Sequence, residues 1–241
     1  MRQAAFHYRR AEEMSEKIGR DPELWEAGCS KDHVRNTFII PDLVARISRL
    51  CPVRIADVGS GTGYMSRNLA SRLPNCHTWS LLENDPNMLR FSANIVGSDK
   101  HIGVVSFDIF QPNEIVCNSF DLVFSVFSTL DFGMNQRVAS NLVGLLRQGG
   151  TLLIYVPDLL EEVSQMCAVM SSLEPLEEYR RGKTDIRKPD RFTKRVEPFV
   201  AHRVELCVAQ VLAAGTNLRQ LNFLERTHDR RLIVLEFERN A

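Results

Sequence analysis

The sequence predicts an α/β domain on a doubly wound, seven-stranded, mostly parallel sheet, with a helical lid ahead of it. Three observations predict this. The first is an apolar, β-branched run over residues 53–58, then glycines at alternate positions, Gly59, Gly61 and Gly63, then an amphipathic segment with Tyr64, Leu69 and Leu73 on its inner face. Strand, glycine turn and helix in that order make the nucleotide-binding corner of such a sheet. The second is alternation, because short apolar runs recur at 76–82, 102–107, 120–127 and 151–156, with helical spacing between them. The third is an acid at the end of each of the first three strands: Asp57, Glu83 and Asp108.

The elements follow in chain order. Residues 1–50 read as a lid, with a mixed-charge helix over 4–18 stopped by Gly19. Asp21-Pro22 signals a second helix start, the aspartate as N-cap and the proline in the first turn. A third helix over about 41–50 carries Leu43, Val44, Ile47 and Leu50 on one face. His33 and Arg35 are read as a solvated helix face, with a ligand carboxylate or the substrate as the alternative partner. The cofactor core is expected over 51–158. Within it, Asp85-Pro86 starts a helix after strand two, and a helix over 135–146 is expected to stop at Gly149-Gly150, ahead of strand five. An insertion over 159–199 is expected on the acceptor side, its charged stretch at 180–191 an exposed loop. Residues 200–241 supply a helix ending at Gly215 and two final strands, 217–224 and 231–237, which complete the same domain as an antiparallel pair.

The glycine pattern discriminates between nucleotides. A dinucleotide fingerprint requires a third glycine where Tyr64 stands, and a P-loop requires Gly-Lys-Ser/Thr, which is absent. What stands here is Asp57-x-Gly59-x-Gly61-x-Gly63, which closely resembles motif I of the class I S-adenosylmethionine-dependent methyltransferases. That resemblance implies that Gly59, Ser60, Gly61 and Gly63 run under the methionine and ribose of the cofactor, with Asp57 supporting them. Glu83-Asn84-Asp85 resembles motif II. It implies that Glu83 accepts from the ribose hydroxyls, beside Asn84, while Asp85 reads as a helix cap. Asp108-Ile109 resembles motif III, with Asp108 on the adenine amine and Ile109 on the ring. Ser125, near the end of strand four, joins the expected cofactor set. The resemblance further implies that the lid covers the cofactor. Phe6, Tyr8, Trp25 and Phe38 then either wall the acceptor pocket or pack the lid on the sheet.

Strand four also bears on the acceptor. Enzymes of this family that methylate base amines or glutamine resemble one another in Asp/Asn-Pro-Pro-Tyr/Phe there, whereas this chain has Ser125-Val126-Phe127-Ser128. Cys51-Pro52 lies ahead of strand one, the wrong place for a cytosine-C5 nucleophile. The resemblance implies O- or N-methylation of a small molecule, leaving S-adenosylhomocysteine. His202 is the first choice for a general base, ahead of His7 and His33. Rival readings are a cofactor-binding protein without turnover, different chemistry with the same cofactor, and methylation of RNA or protein through the basic loop.

Composition agrees. Thirty basic residues balance thirty acidic ones, so no nucleic-acid partner is implied, and 44% hydrophobic residues suffice for one sizeable core. No apolar run approaches the ~20 residues of a membrane span. The first ten residues lack a signal-peptide core, and six cysteines without a Cys-x-x-Cys pair suggest reduced thiols rather than a metal site. A cytoplasmic location is expected.

Overall fold

The computed structural model describes residues 21–74, 77–111, 117–127, 134–157, 177, 204–224 and 232–240, and the backbone of 185–189 and 196–200. The chain forms two compact units, Met1–Asp108 and Ile109–Ala241.

In the first unit, helix α1 (Pro22–Lys31) begins as the sequence predicts. The Asp21 carboxylate accepts the backbone N–H groups of Glu23 and Leu24, with Pro22 in the first turn. A π-helical turn over Arg35–Ile39 runs directly into α2 (Ile40–Leu50), which starts one residue before Pro41. Leu43 and Ile47 are fully buried, while Val44 and Leu50 are half-buried. Cys51, in a left-handed conformation, ends α2 by donating its N–H to the Ile47 carbonyl.

Strand β1 (Arg54–Val58) leads through the glycine turn to α3 (Tyr64–Ala70). Strand β2 (Thr78–Glu83), helix α4 (Pro86–Val96) and strand β3 (Ile102–Ser106) follow, and Asp85 caps α4 through Asn87 and Met88. β1, β2 and β3 pair in parallel, with Asp57 opposite Leu81 and Glu83 opposite Ser106.

The second unit holds β4 (Phe120–Val126), α5 (Gln136–Leu145), β5 (Leu146–Pro157), α6 (Val204–Ala213), β8 (Thr216–Leu224) and β9 (Leu232–Arg239). β4 and β5 are parallel; β9 runs antiparallel to both β5 and β8. Residues Leu152 to Val156 of β5 are all fully buried, as expected for a strand covered on both faces. The whole sheet runs β3-β2-β1-β4-β5-β9-β8, the seven-stranded arrangement that the sequence predicts.

Two expectations are corrected. Gly149-Gly150 does not stop a helix: α5 ends at Leu145 and β5 starts at once, so the glycines lie inside the strand. While β4 advances from Phe120 to Leu122, β5 advances from Leu146 to Thr151, so the chain bulges there. Gly149 takes φ 69°, and a Cβ on Gly150 would lie 2.9 Å from the Arg147 carbonyl and 3.0 Å from that of Phe120. The glycines serve the bulge, which sequence spacing alone makes look like a helix stop. Second, the stretch read as an exposed loop contains β6 (Asp185–Pro189), paired antiparallel with β7 (Val196–Val200). Its pairing rests on backbone hydrogen bonds, which composition does not report.

Candidate functional site

The glycine turn is held from several sides within the first unit. The Leu82 carbonyl of β2 accepts from Gly59 N–H at 2.8 Å and Ser60 N–H at 3.2 Å, and Gly63 N–H closes the turn onto the Ser60 carbonyl at 2.9 Å. Ser92 of α4 donates to the Gly61 carbonyl at 3.1 Å. Gly59, Gly61 and Gly63 all have positive φ, between 56° and 75°, where a side chain is strained. Gly63 is also packed, because a Cβ there would lie 2.6 Å from Leu81 Cδ1.

Asp57 and Glu83, both expected at the cofactor, flank this turn in different environments. Asp57 is only 3% exposed, and its Oδ2 accepts from the Ser66 hydroxyl at 2.7 Å. Burial pushes its carboxyl up to about 7, against the Ser66 hydrogen bond that favours the charged form; the Glu83 charge raises it further and Arg35 lowers it. Asp57 is thus tied to the first turn of α3. Glu83 is half-buried and already engaged: Oε2 accepts from Gly61 N–H at 2.7 Å, and Oε1 from Asn84 and Asp85 N–H at 2.9 and 3.0 Å. A carboxylate offers about four acceptor sites, so these three bonds leave room for roughly one further donor. Asn84 reaches this centre through its backbone and is exposed.

The lid meets the same turn. Trp25 packs on Gly61 so closely that a Cβ there would lie 2.9 Å from the indole Nε1. Glu26 accepts from Thr62 Oγ1 at 2.5 Å and from an Arg67 terminal nitrogen at 2.7 Å. Tyr64 donates its hydroxyl to Asn36 at 2.8 Å. Trp25, Phe38 and Arg35 are half-buried and His33 is exposed. The His33 ring lies 3.1 Å from the Thr37 hydroxyl and edge-on to Phe38. Arg35 departs from the solvated face expected of it. Its side chain is 11% exposed, one terminal nitrogen donates to Cys29 Sγ at 2.7 Å, and its guanidinium lies 5.9 Å from the centre of the Trp25 ring. Burial raises the Cys29 thiol above its ordinary range, with Arg35 opposing. The π-turn that turns Arg35 inward leaves no mark in a helical-period pattern.

The remaining expected residues divide. Asp108 is half-buried just past β3. In the second unit, half-buried Ile109 has its carbonyl held by the Asn141 amide at 2.6 Å, and Ser125 is fully buried within β4. His202, His7, Phe6 and Tyr8 lie outside the described residues. Sequence reading missed Glu26, Thr62, Ser66 and Arg67. Ser66 could have been found, since a hydroxyl in the first turn after the glycines is well placed to reach the acid ending β1.

Two features of the turn fit S-adenosylmethionine. The Ser60 hydroxyl oxygen is buried without a hydrogen-bond partner among the described residues, and Gly59 is exposed beside it. Glu83 keeps capacity for a hydroxyl donor, as counted above.

Residues 56–152 match the family described as "Methyltransferase domain". No curated protein matches the sequence. Among solved structures, the fold is similar to a SAM-dependent methyltransferase from Aquifex aeolicus, with TM-score 0.61 and 11% identity over 91% of this chain and 98% of that one. It is also similar to an S-adenosylmethionine-dependent methyltransferase from Clostridium acetobutylicum, with TM-score 0.60 and 12% identity over 89% and 98%. The [4+2]-cyclase SpnF shares the fold as well, at TM-score 0.58 and 14% identity over 83% and 79%. The match over residues 56–152 and the seven-stranded sheet agree: this stretch is similar to the methyltransferase-domain family, which implies S-adenosylmethionine as cofactor, and the fold is similar to that of S-adenosylmethionine-dependent methyltransferases.

Proposed function

We propose that this protein methylates a small molecule at oxygen or nitrogen. The observation that carries the reading is at the end of β4, where Phe127 is half-buried with φ 64°. A bulky residue in the left-handed region costs ~1–3 kcal/mol, and such strain clusters at functional sites. An aromatic held there, without the Pro-Pro-aromatic signature of base-amine enzymes, suits a compact acceptor. The balanced charge of the chain gives no support to a polyanionic substrate.

The bound cofactor would supply an electrophilic methyl group, so alignment does much of the chemical work. On this reading Glu83 accepts from a ribose hydroxyl, Asp57 fixes the turn from beneath, Gly59 and Ser60 admit the ligand to the backbone, and Asp108 with Ile109 holds the adenine. Arg35, drawn inward and paired with Asp32 at 3.7 Å, would meet the cofactor carboxylate on this reading. His202 would take the acceptor proton and contribute ~10²–10⁴-fold to rate.

Incubation with methyl-labelled cofactor and a metabolite extract tests the reading: label should move to a small molecule. Label moving to RNA or protein would replace the acceptor class. Conversion of a metabolite with label left on the cofactor would favour non-methylating chemistry, which the likeness to SpnF keeps as the second reading. Replacing His202 with Ala should lower kcat and leave cofactor affinity intact.

A further inference from the structure

Helix α1 is tied to the glycine turn in an unusual way. Of its ten residues only Cys29 is buried, and Leu24 is 72% exposed. Gly28 stands mid-helix with open space where a Cβ would be, which weakens the helix by ~1 kcal/mol relative to alanine. Little apolar burial therefore holds α1 down. Its C-terminal end is pinned, because the Asn36 amide donates to the carbonyls of Cys29, Ser30 and Asp32, and Asp32 leaves the helix in an extended conformation. The part that reaches the turn is held through polar groups: Glu26 takes hydrogen bonds from Thr62, between two of the glycines, and from Arg67 of α3.

Where this end docks matters more than how. Gly61 lacks a Cβ, the feature that lets a ligand approach the backbone, yet the space it leaves is filled by the Trp25 indole. Gly61 N–H meanwhile points to Glu83. The middle of the turn is thus covered by the protein's own side chains, and a ligand lying across it must displace Trp25.

We propose that α1 is a lid latched shut over the glycine turn by Glu26, and that release of this latch sets how fast the cofactor enters. The proposal rests on the cofactor reading above. A protein whose competent state is only partly populated binds at a rate reduced by that fraction, so weakening the latch speeds entry. The Glu26–Arg67 pair is about one-quarter exposed on each side, so it holds the lid without locking it.

The test uses Glu26→Ala, which removes both bonds and keeps a good helix former, with Glu23→Gln, an exposed change on the same helix, as control. Two readouts suffice. Acrylamide quenching of the empty protein reports Trp25, because the only other tryptophan, Trp79, is 3% exposed. Stopped-flow measurement with S-adenosylmethionine gives the association rate. Glu26→Ala should raise the quenchable fraction and speed association roughly tenfold, the scale of one charge-assisted hydrogen bond, while melting stays cooperative. Glu23→Gln should change neither. A cooperatively folded Glu26→Ala protein with wild-type quenching and association rate would overturn the latch and leave the cofactor reading standing. Wild-type protein that binds no S-adenosylmethionine in calorimetry would overturn both.

Discussion

Helices α1 and α2 are neighbours in sequence and similar in length, each with a proline in its first turn, yet they are held in opposite ways. α2 buries Ile40, Leu43, Arg46 and Ile47, and the Arg46 charge is neutralised by Asp42 at 2.7 Å one turn away. Burying each such aliphatic side chain stabilises by ~1.5–3 kcal/mol. α1 buries one residue and is tied by hydrogen bonds. The same division runs through the glycine turn. Gly63 and Asp57 face packed interior, whereas Gly61 meets Trp25 of α1 and half-buried Glu83 accepts its N–H. Helix start signals do not distinguish a helix anchored by packing from one tied by polar contacts; the number of buried apolar side chains does.

The most direct way to break this comparison is Leu43→Ala in α2, expected to cost ~2–5 kcal/mol in denaturant unfolding because it leaves a cavity. A loss below ~1 kcal/mol would mean that α2 is no better anchored than α1.

The glycines sharpen the contrast. Gly63→Ala drives a Cβ into buried Leu81 at positive φ and should destabilise the domain by ~1–3 kcal/mol. Gly61→Ala meets Trp25 on a loosely held helix and should shift tryptophan fluorescence more than the melting point. Equal thermal shifts for the two variants would contradict the division.

On the ligand side, Glu83→Gln should weaken S-adenosylmethionine by ~1–2 kcal/mol in calorimetry. A 2′-deoxyribose analogue should lose less only if the free acceptor site of Glu83 serves the 2′-hydroxyl, and it should lose the same if that site serves the 3′-hydroxyl.

On the core side, Asp57 gives a pH signature. Its carboxyl titrates near 7 when folded and near 3.8 in the reference state, so the native protein holds a proton that the unfolded chain has lost between these values. The stability it contributes is fully present below about 3.8, falls as pH rises toward about 7, and is level above that. Asp57→Asn should flatten this slope in unfolding measurements; an unchanged slope would show that other groups carry it. Smallest of all, Leu24→Ser on the exposed face of α1 should shift stability by no more than ~0.5 kcal/mol.

The sequence by itself determined the sheet and the acids at its strand ends. Apolar runs with period two or unbroken, glycines at alternate positions, and Asp21 and Asp85 before prolines are local signals, and local backbone physics reads them the same way in any context. The same holds for Asp57 and Glu83, whose positions follow from where β1 and β2 end. Tertiary structure alone decided what those groups touch. That Glu83 spends acceptor capacity on Gly61 N–H, that Trp25 fills the space over Gly61 and that Glu26 reaches Arg67 all join residues distant in sequence. The Gly149-Gly150 bulge and the inward turn of Arg35 belong to the same class. Each depends on the packing of a second element, whose position no residue pattern along one segment encodes.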